Sequence, residues 1–350
     1  MRIVTPGVLV RCSVLLCLSL LGCGPGFDPP SELHSLRVLG VQKDRPYAQP
    51  GQRVNLQMLW QDASAFAGRP IKIAWSPPCF DPVGDLYYAC FSDPTAFASM
   101  ISTPDAAPEH TAFDVPTDII SRRPRADASN NAPYGITYVF FALCAGDFTL
   151  LPSSADTAFP VGCKDAAGNL LGADDFVAGY TSVYSFQNFS NHNPNIKGFE
   201  IDGKPVTQFC LDDDCLALAG SQPPVDFDCA DPDQSARCVP ACPYDGDPKC
   251  QGYRVRPTVD QADPANQDQD DVSAKLLGRK VGEQMWINYY TDAGGFQSPV
   301  RLLNDATSGW NAIYGTPFYP PKTPGLSRIW AIVHDNRGGV SWSGITLKVQ

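Results

Sequence analysis

Cysteine is the residue type that gives this sequence most of its possible chemistry. The 350 residues include thirteen cysteines, whose thiols can form disulfides, bind a metal ion or act as nucleophiles. Three of them lie within the first 23 residues. The other ten are Cys79, Cys90, Cys144, Cys163, Cys210, Cys215, Cys229, Cys238, Cys242 and Cys250. An even set of this size in an oxidising compartment predicts up to five disulfides and no spare thiol.

The spacing of the ten cysteines favours pairing between neighbours, because a short loop closes easily. It indicates three local pairs: Cys79 with Cys90, Cys144 with Cys163, and Cys210 with Cys215. The four cysteines between residues 229 and 250 are then expected to pair among themselves, in a connectivity that the sequence does not fix.

A zinc site is the competing interpretation of the clustered cysteines. The spacing between residues 229 and 250 is C-x8-C-x3-C-x7-C, with no CxxC pair and no histidine nearby. Zinc requires thiolates that stay reduced, and an oxidising compartment disfavours reduced thiolates. The sequence therefore favours disulfides, and no metal ligand is assigned.

Acidic loops offer a second possible metal chemistry. Hard oxygen donors that suit Ca²⁺ occur at Asp212, Asp213, Asp214, Asp226, Asp228, Asp231, Asp233, Asp263, Asn266, Asp268, Asp270 and Asp271. The run from Asn266 resembles the start of a calcium loop, but Asp271 stands where an EF-hand needs glycine and no glutamate follows at position twelve. We favour solvated acidic loops and no cofactor, with calcium binding as the alternative.

No catalytic residue is assigned, because no nucleophile-elbow, metalloprotease, Walker or dinucleotide-binding motif occurs in the chain. The four histidines, His34, His110, His192 and His334, are isolated from one another in sequence. Asp335 is expected to cap its own turn rather than to orient His334. The chain is therefore predicted not to be an enzyme. The alternative is an exported hydrolase that acts on polysaccharide or peptide through loop carboxylates and aromatic side chains.

The N-terminus has the layout of a secretory signal. Arg2 and Arg11 provide positive charge, and an apolar stretch over residues 13–21 is too short to span a bilayer permanently. Leu20-Leu21-Gly22-Cys23 resembles the lipobox of bacterial lipoproteins, which implies a signal peptide over 1–22 and diacylglycerol on Cys23. Removal of 1–22 and lipidation of Cys23 would leave the ten later cysteines.

Residues 23–33 follow as a lipidated tether rich in proline and glycine, which do not sustain a helix or a strand. Gly24 after the cysteine resembles the sorting pattern of outer-membrane lipoproteins. The resemblance implies an address at the bacterial outer membrane, facing either the periplasm or the cell surface, with the lipid as the membrane contact.

The overall composition excludes one large class of partner and favours β-structure. The chain has 26 Lys and Arg against 37 Asp and Glu, a formal charge of -11, and no basic run, so nucleic acid is not expected as a partner. Thirty-three prolines, 29 glycines and only 18% charged residues indicate a turn-rich, helix-poor fold.

Strand patterns fill the first region, residues 34–190. Alternating apolar residues over Arg53–Trp60 predict a half-buried strand, and Ile71, Ile73 and Trp75 repeat the pattern. The apolar run Ile136–Cys144 predicts a central strand with both faces covered, and a further strand is expected over Tyr180–Phe186. The long connections 77–95 and 101–133 are predicted to be surface insertions, with a helical turn within 113–120.

The polar stretch 188–195 marks the domain boundary, and the second region spans residues 194–350. It opens with a strand and a turn over Ile196–Gly203, as the first region does, and is interrupted by a cysteine-rich insertion over 207–251. Further strands are predicted at Met285–Tyr290, at Ile329–His334 and, after the Asp335–Gly339 turn, at Val340–Val349. The last strand changes apolar parity around Gly344, which predicts a bulge.

Short strands between turns resemble those of immunoglobulin-like and PKD-like β-sandwiches. Pro50–Leu56 and Trp330–Trp342 carry the resemblance. It implies an all-β chain of two tandem immunoglobulin-like β-sandwiches with long loop insertions. The conspicuous tryptophans Trp60, Trp75, Trp286, Trp330 and Trp342 are then core or sheet-face residues rather than a ligand platform.

These features together predict a non-enzymatic, lipid-anchored envelope protein that binds or scaffolds another envelope or surface component, either a protein or a polysaccharide. The cysteine-rich insertion 207–251 is the segment expected to carry recognition, because crosslinked loops lose little entropy on binding. A segment of this length cannot build its own hydrophobic core, so crosslinks are expected to hold its shape.

Overall fold

The chain is an all-β protein. A computed structural model describes residues 29–66, 68–102, 109–123, 132–152, 159–206, 228–266, 271–305 and 309–350. Residues 31–350 form one compact unit. Within the described ranges, no helix is both long and apolar enough to cross a bilayer.

The first region folds into two sheets that face each other. Its strands are β1 (Leu36–Lys43), β2 (Tyr47–Ala48), β3 (Arg53–Asp62), β4 (Lys72–Trp75), β5 (Cys79–Phe80), β6 (His110–Asp114), β7 (Tyr134–Cys144), β8 (Asp147–Leu150), β9 (Val161–Lys164) and β10 (Phe176–Phe186). One sheet has the order β1-β3-β6 and the other β2-β10-β7-β4, with β5 paired to β7. Strands β8 and β9 form a separate hairpin, and β2 pairs with β10 in parallel.

Side-chain alternation and burial explain why these segments form strands. Val54 and Leu56 of β3 point inward and pack against Val139 of β7 and Val183 of β10 in the opposite sheet. Strand β7 lies between β10 and β4, and it is buried from Gly135 to Cys144. The prediction of a central strand covered on both faces is therefore confirmed.

The prediction of a helical turn within residues 113–120 is wrong for the first residues of that range. Phe113 lies on β6, where it pairs with Val54, and its side chain enters the core. The connection 101–133 is thus not wholly a surface insertion. The helices of this region lie earlier in the chain: 3-10 turns at Val83–Asp85 and Tyr87–Ser92, and helix α1 at Pro94–Ser102.

The second region repeats the two-sheet arrangement. Its strands are β11 (Ile196–Ile201), β12 (Lys204–Val206), β13 (Cys238–Val239), β14 (Tyr253–Val259), β15 (Met285–Thr291), β16 (Gly295–Phe296), β17 (Val300–Asp305), β18 (Gly309–Trp310), β19 (Thr316–Tyr319), β20 (Gly325–Asp335) and β21 (Val340–Val349). The sheet orders are β12-β11-β14-β19-β16 and β13-β21-β20-β15-β17-β18. Short helices lie at Pro232–Ser235 (α2), Pro264–Asn266 (3-10) and Asp271–Leu277 (α3).

The bulge predicted near Gly344 is wrong. Strands β20 and β21 pair without a register shift from Gly325 opposite Val349 to His334 opposite Val340. The parity changes because β21 is buried on both faces: Trp342 packs outside the second sandwich, whereas Ile345 and Leu347 pack inside it.

The two sandwiches pack side by side through an apolar junction. Leu33, Leu39 and Leu59 contact the outer face of the second sandwich, formed by Trp330, Ile332, Val340 and Trp342. A Cβ added at Gly40 of β1 would already lie 3.5 Å from side-chain atoms of Ile332, Val340 and Trp342. The N-terminal segment also joins the second sandwich directly, since Leu33 N donates to Thr291 O over 2.8 Å.

The Asp335–Gly339 turn fixes the polar end of this junction. Asp335 Oδ1 accepts hydrogen bonds from the backbone N–H groups of Arg337 and Gly339, which confirms that Asp335 caps its own turn. A Cβ at Gly339 would lie 2.0 Å from Asp335 Oδ2, so the turn requires glycine there. Asn191 Nδ2 donates to the same Oδ2, which ties the linker between the regions to the turn.

Candidate binding surface

A disulfide-closed loop lies on the outer face of the first sandwich. Cys79 and Cys90, whose Cα atoms are 6.0 Å apart, close it over strand β7. We call residues 79–90 the stapled loop. It exposes four large apolar side chains, with exposed fractions of 84% for Val83, 42% for Leu86, 40% for Tyr87 and 54% for Tyr88. These four side chains define its apolar face.

Backbone geometry and polar contacts pin the stapled loop to the sheet. Asp81 and Asp85 have positive φ angles of 47° and 58°. Residues other than glycine rarely adopt this backbone conformation. Asp81 Oδ1 accepts a hydrogen bond from Ile136 N of β7 over 2.9 Å. The Asp85 carboxylate forms an ion pair with Arg123 and accepts a hydrogen bond from Tyr134 Oη over 2.6 Å. The side chains of the apolar face are therefore displayed from a fixed backbone.

Tyrosines of the adjacent strands β7 and β10 support the loop from below. The Tyr87 ring stacks on Tyr180 with centroids 4.7 Å apart and an interplanar angle of 19°. Tyr180 in turn packs edge-on against Tyr138, whose hydroxyl donates to Asp85 O over 2.9 Å. Burial raises the pKa of Tyr138 to about 12 and also raises the pKa of Tyr184. Both phenols therefore stay protonated at neutral pH, and the Tyr138 hydroxyl keeps its proton for the hydrogen bond to Asp85 O.

The arrangement suits binding by burial of apolar surface. The carboxylates of Asp81 and Asp85 are paired beneath the loop, while the four exposed side chains present carbon surface and two phenol groups to solvent. Contiguous exposed apolar surface on a soluble domain marks an interaction site. A rigid surface also loses little conformational entropy when a partner docks.

The cysteine-rich segment, which was expected to carry recognition, lies on the second sandwich, whereas the stapled loop lies on the first. The structure pairs Cys229 with Cys238 and Cys242 with Cys250, whereas Cys210 and Cys215 lie outside the described residues. Strand β13 extends the second sandwich by parallel pairing with β21, and Val239 enters its core. Its exposed part carries Tyr244, with the Lys249 ammonium 5.4 Å from the ring centroid.

The segment is thus held by the sandwich as well as by crosslinks, which leads to a prediction. Val239→Ala should lower the free energy of unfolding by about 2 kcal/mol, because it removes buried apolar surface from the second core. Chemical denaturation measures the change. Val83→Ala, at an exposed valine of the stapled loop, is the control and should leave stability unchanged. Equal stabilities for the two variants would contradict the docking of β13.

The other two cysteine pairs are those that the local spacing favoured. Cys79 is joined to Cys90 and Cys144 to Cys163. The second of these bonds joins the end of β7 to β9, and so attaches the hairpin of β8 and β9 to the sheet. Cys23, the residue expected to carry lipid, lies outside the described residues, as does the whole signal segment 1–22.

The described acidic residues support turns and strands. Asp263 forms an ion pair with Lys197 over 2.7 Å and accepts a hydrogen bond from Asn195. The hydrogen bond from Lys197 lowers the pKa of Asp263. Asn266 is buried and accepts a hydrogen bond from Asn195 N over 2.7 Å, and Asp228 accepts one from Ala230 N. Across the described ranges, no group of three or more His, Cys, Asp or Glu side chains is placed to hold a metal ion. Asp212, Asp213, Asp214, Asp226, Asp268 and Asp270 lie outside those ranges.

The stapled loop was missed by sequence reasoning, which treated residues 77–95 only as an insertion. The available signal was the placement of Leu86, Tyr87 and Tyr88 between two cysteines in an otherwise polar, proline-containing connection. Exposure itself has no sequence signature, since the same residues could equally have filled a core.

Comparison with known proteins adds no functional assignment. No protein-family model and no curated protein matches the sequence. Among solved structures, the fibronectin(III)-like modules of CbhA from Clostridium thermocellum are 10% identical, with 89% of this chain and 93% of that chain covered and a TM-score of 0.20. Three N-terminal domains of the outer capsid protein Hoc from bacteriophage RB49 are 8% identical, with 90% and 99% covered and a TM-score of 0.13. At these TM-scores the fold assignment rests on the sheets described above.

Proposed function

We propose that this chain is a non-enzymatic, exported and lipid-anchored envelope protein that binds another envelope protein through the apolar face of the stapled loop. The observation that carries the proposal is the exposure of Val83, Leu86, Tyr87 and Tyr88 on one loop that a disulfide and an ion pair hold rigid. Tyrosine and arginine beside aliphatic side chains are typical of protein interfaces.

A protein partner fits this face better than a polysaccharide. Sugar rings stack on open aromatic faces, but one face of Tyr87 is already covered by Tyr180. Val83 and Leu86 offer aliphatic surface alone, and Val83 is the most exposed of the four. Burial of such surface contributes about 25 cal/mol per Å², which an apolar pocket of a protein supplies more readily than hydroxyl groups.

Four disulfides support export, because such bonds persist in oxidising compartments. The lipobox resemblance at Cys23 supports the anchor, and Gly24 after this cysteine supports the outer-membrane address. Export and anchoring belong to the same proposal as the binding surface, since an anchored protein meets its partner at a membrane surface rather than in bulk solution.

The stapled loop lies some distance along β10 from the start of β1. Leu33 bonds Thr291, and the chain then enters β1, where Leu36 N donates to Asp174 O just before β10. Strand β10 then runs alongside β1 from Phe176 to Tyr184, about 27 Å. The stapled loop lies towards the Tyr184 end, because Asp81 bonds Ile136 and Ile136 pairs with Tyr184. The stapled loop and the start of β1 therefore lie towards opposite ends of β10.

A photo-crosslinking side chain at Val83, introduced in intact cells, tests the proposal. We expect one protein adduct in the membrane fraction. With the purified partner, Tyr88→Asp should weaken binding at least about tenfold, because it places a charge where the complex would bury the Tyr88 ring. Leu277 is the matched control position, since it is also exposed and apolar but lies on α3 of the second region.

Equal adducts from positions 83 and 277, or binding of polysaccharide in place of protein, would contradict the proposed partner. The anchor is tested in the same cells by labelling with radioactive palmitate, which should be lost in Cys23→Ser. Retention of the label in that variant would refute lipidation at Cys23 without affecting the result at the stapled loop.

A further inference from the structure

A cleft lies between the two sandwiches, apart from the stapled loop's apolar face. It has a volume of about 360 Å³. Its walls include Val38, Val41 and Lys43 from β1, Tyr180 from β10, and Trp286, His334 and Asp335 from the second sandwich. Small-molecule sites are typically apolar clefts of this size at domain interfaces, with a few polar groups that fix the ligand's orientation.

Lys43 supplies the cleft with a buried cation. The residue is 5% exposed, and its ammonium donates a hydrogen bond to Ser182 O over 3.3 Å. An ammonium has three N–H donors, and within the described residues the Lys43 ammonium makes this one hydrogen bond. Burial lowers the pKa of Lys43 to about 8, partly offset by Asp335.

The neighbouring carboxylate is already occupied. Asp335 Oδ1 accepts two backbone N–H groups, and Oδ2 accepts the Asn191 amide. Asp335 therefore acts on Lys43 through its charge at a distance, while its lone pairs hold the turn. An additional acceptor in the cleft would complete the hydrogen bonding of the Lys43 ammonium.

Beside Asp335, the opposite wall is formed by two stacked rings. The Trp286 and His334 rings stack with centroids 5.2 Å apart and an interplanar angle of 14°. Asn288 Nδ2 lies 3.4 Å from His334 Nε2, which positions the imidazole on the sheet. Together with the aliphatic side chains of Val38 and Val41, this wall offers apolar contact to a ligand that carries a single charge at one end.

We propose that this cleft binds a small monocarboxylate with an apolar or aromatic body. The carboxylate accepts hydrogen bonds from the Lys43 ammonium, and the body packs against Val38, Val41 and Trp286. Charge-assisted hydrogen bonds of this kind are the stronger class in proteins. Tyr180 lines this cleft and also stacks on Tyr87 of the stapled loop. The two tests change different residues, so either proposal can fail without the other.

Calorimetric titration of the full chain with indole-3-propionate, and with the uncharged amide of that acid, tests this site. We expect saturable binding of the acid with one site per chain and at least about tenfold weaker binding of the amide. Lys43→Met keeps the apolar stem and removes the charge, so it should weaken the acid at least tenfold and leave the amide unchanged. Lys72→Met, at an exposed lysine of β4, is the matched control and should bind the acid as the parent does.

Lys43→Met should fold, since it replaces a buried ammonium with an apolar chain of similar length, and its melting curve checks this. If it does not fold, Val38→Trp fills the cleft from β1 and should abolish binding of both acid and amide. Three results would overturn the proposal: no binding of the acid to the parent, equal affinity for acid and amide, or unchanged affinity in a folded variant.

Discussion

Trp330→Ala is expected to lower the free energy of unfolding by about 3–5 kcal/mol, as large aromatic truncations in well-packed sites do. Trp330 is 1% exposed although it lies on the outer face of its own sandwich. Its burial comes from Leu33 of the N-terminal segment and from Leu39 and Leu59 of the first region, together with Trp342. The loss therefore reports on contact between the two sandwiches rather than on either core.

Thermal and urea denaturation measure this loss, and the melting temperature should fall by about 5–10 °C. The matched control is Trp310→Ala, because Trp310 is only partly buried at the edge of the second core; this variant should lose about 1 kcal/mol. Small-angle scattering adds an independent reading, since separated sandwiches have a larger radius of gyration. If Trp330→Ala costs no more than Trp310→Ala, the side-by-side packing is not the arrangement in solution.

Trp330 also shows which parts of the fold the sequence could predict. Strand periodicity located β3, β7 and β20, because alternation and apolar runs depend on neighbours within one strand. The capping role of Asp335 was predictable for the same reason, since the acceptor and its donors lie within four residues. Local cysteine spacing likewise favoured the two bonds observed in the first region.

Burial against a second sandwich has no such local signature. The parity change in β21 indicated a bulge, but the register is continuous and Trp342 faces the first region. In the same way, the composition of the cysteine-rich segment suggested a crosslinked appendage, whereas Val239 belongs to the second core. A sequence shows that a residue is apolar, but it does not show which surface will cover that residue.

In the candidate site, too, local features could be predicted from the sequence and long-range contacts could not. Cysteines and acidic residues drew attention to residues 207–251, because residue type and spacing can be read directly. The stapled loop depends on a positive φ at Asp85, an ion pair with Arg123 and the stacking of Tyr87 on Tyr180. Asp85 and Arg123 are 38 positions apart in the chain, and Tyr87 and Tyr180 are 93 positions apart. No local sequence pattern therefore encodes these contacts.

The second large effect is a loss of stability in mild acid, caused by His334. Burial, with a smaller contribution from the positive charge of Lys43, lowers the pKa of His334 from 6.5 to about 4. Between these two pH values the unfolded chain binds a proton that the folded chain does not bind. The free energy of unfolding should therefore fall as the pH decreases from 6.5 to 4, by about 3 kcal/mol in total from this group.

Urea denaturation at pH steps from 7 to 4 measures this slope. His334→Gln keeps a polar side chain against Trp286 but removes the titrating ring, so the part of the slope due to His334 should disappear. His34→Gln is the matched control, because it removes a histidine whose side chain is 56% exposed, and its slope should follow that of the parent chain. If His334→Gln retains the full acid dependence, the imidazole is not buried beside Lys43 and Trp286, and the cleft between the sandwiches is more open than described.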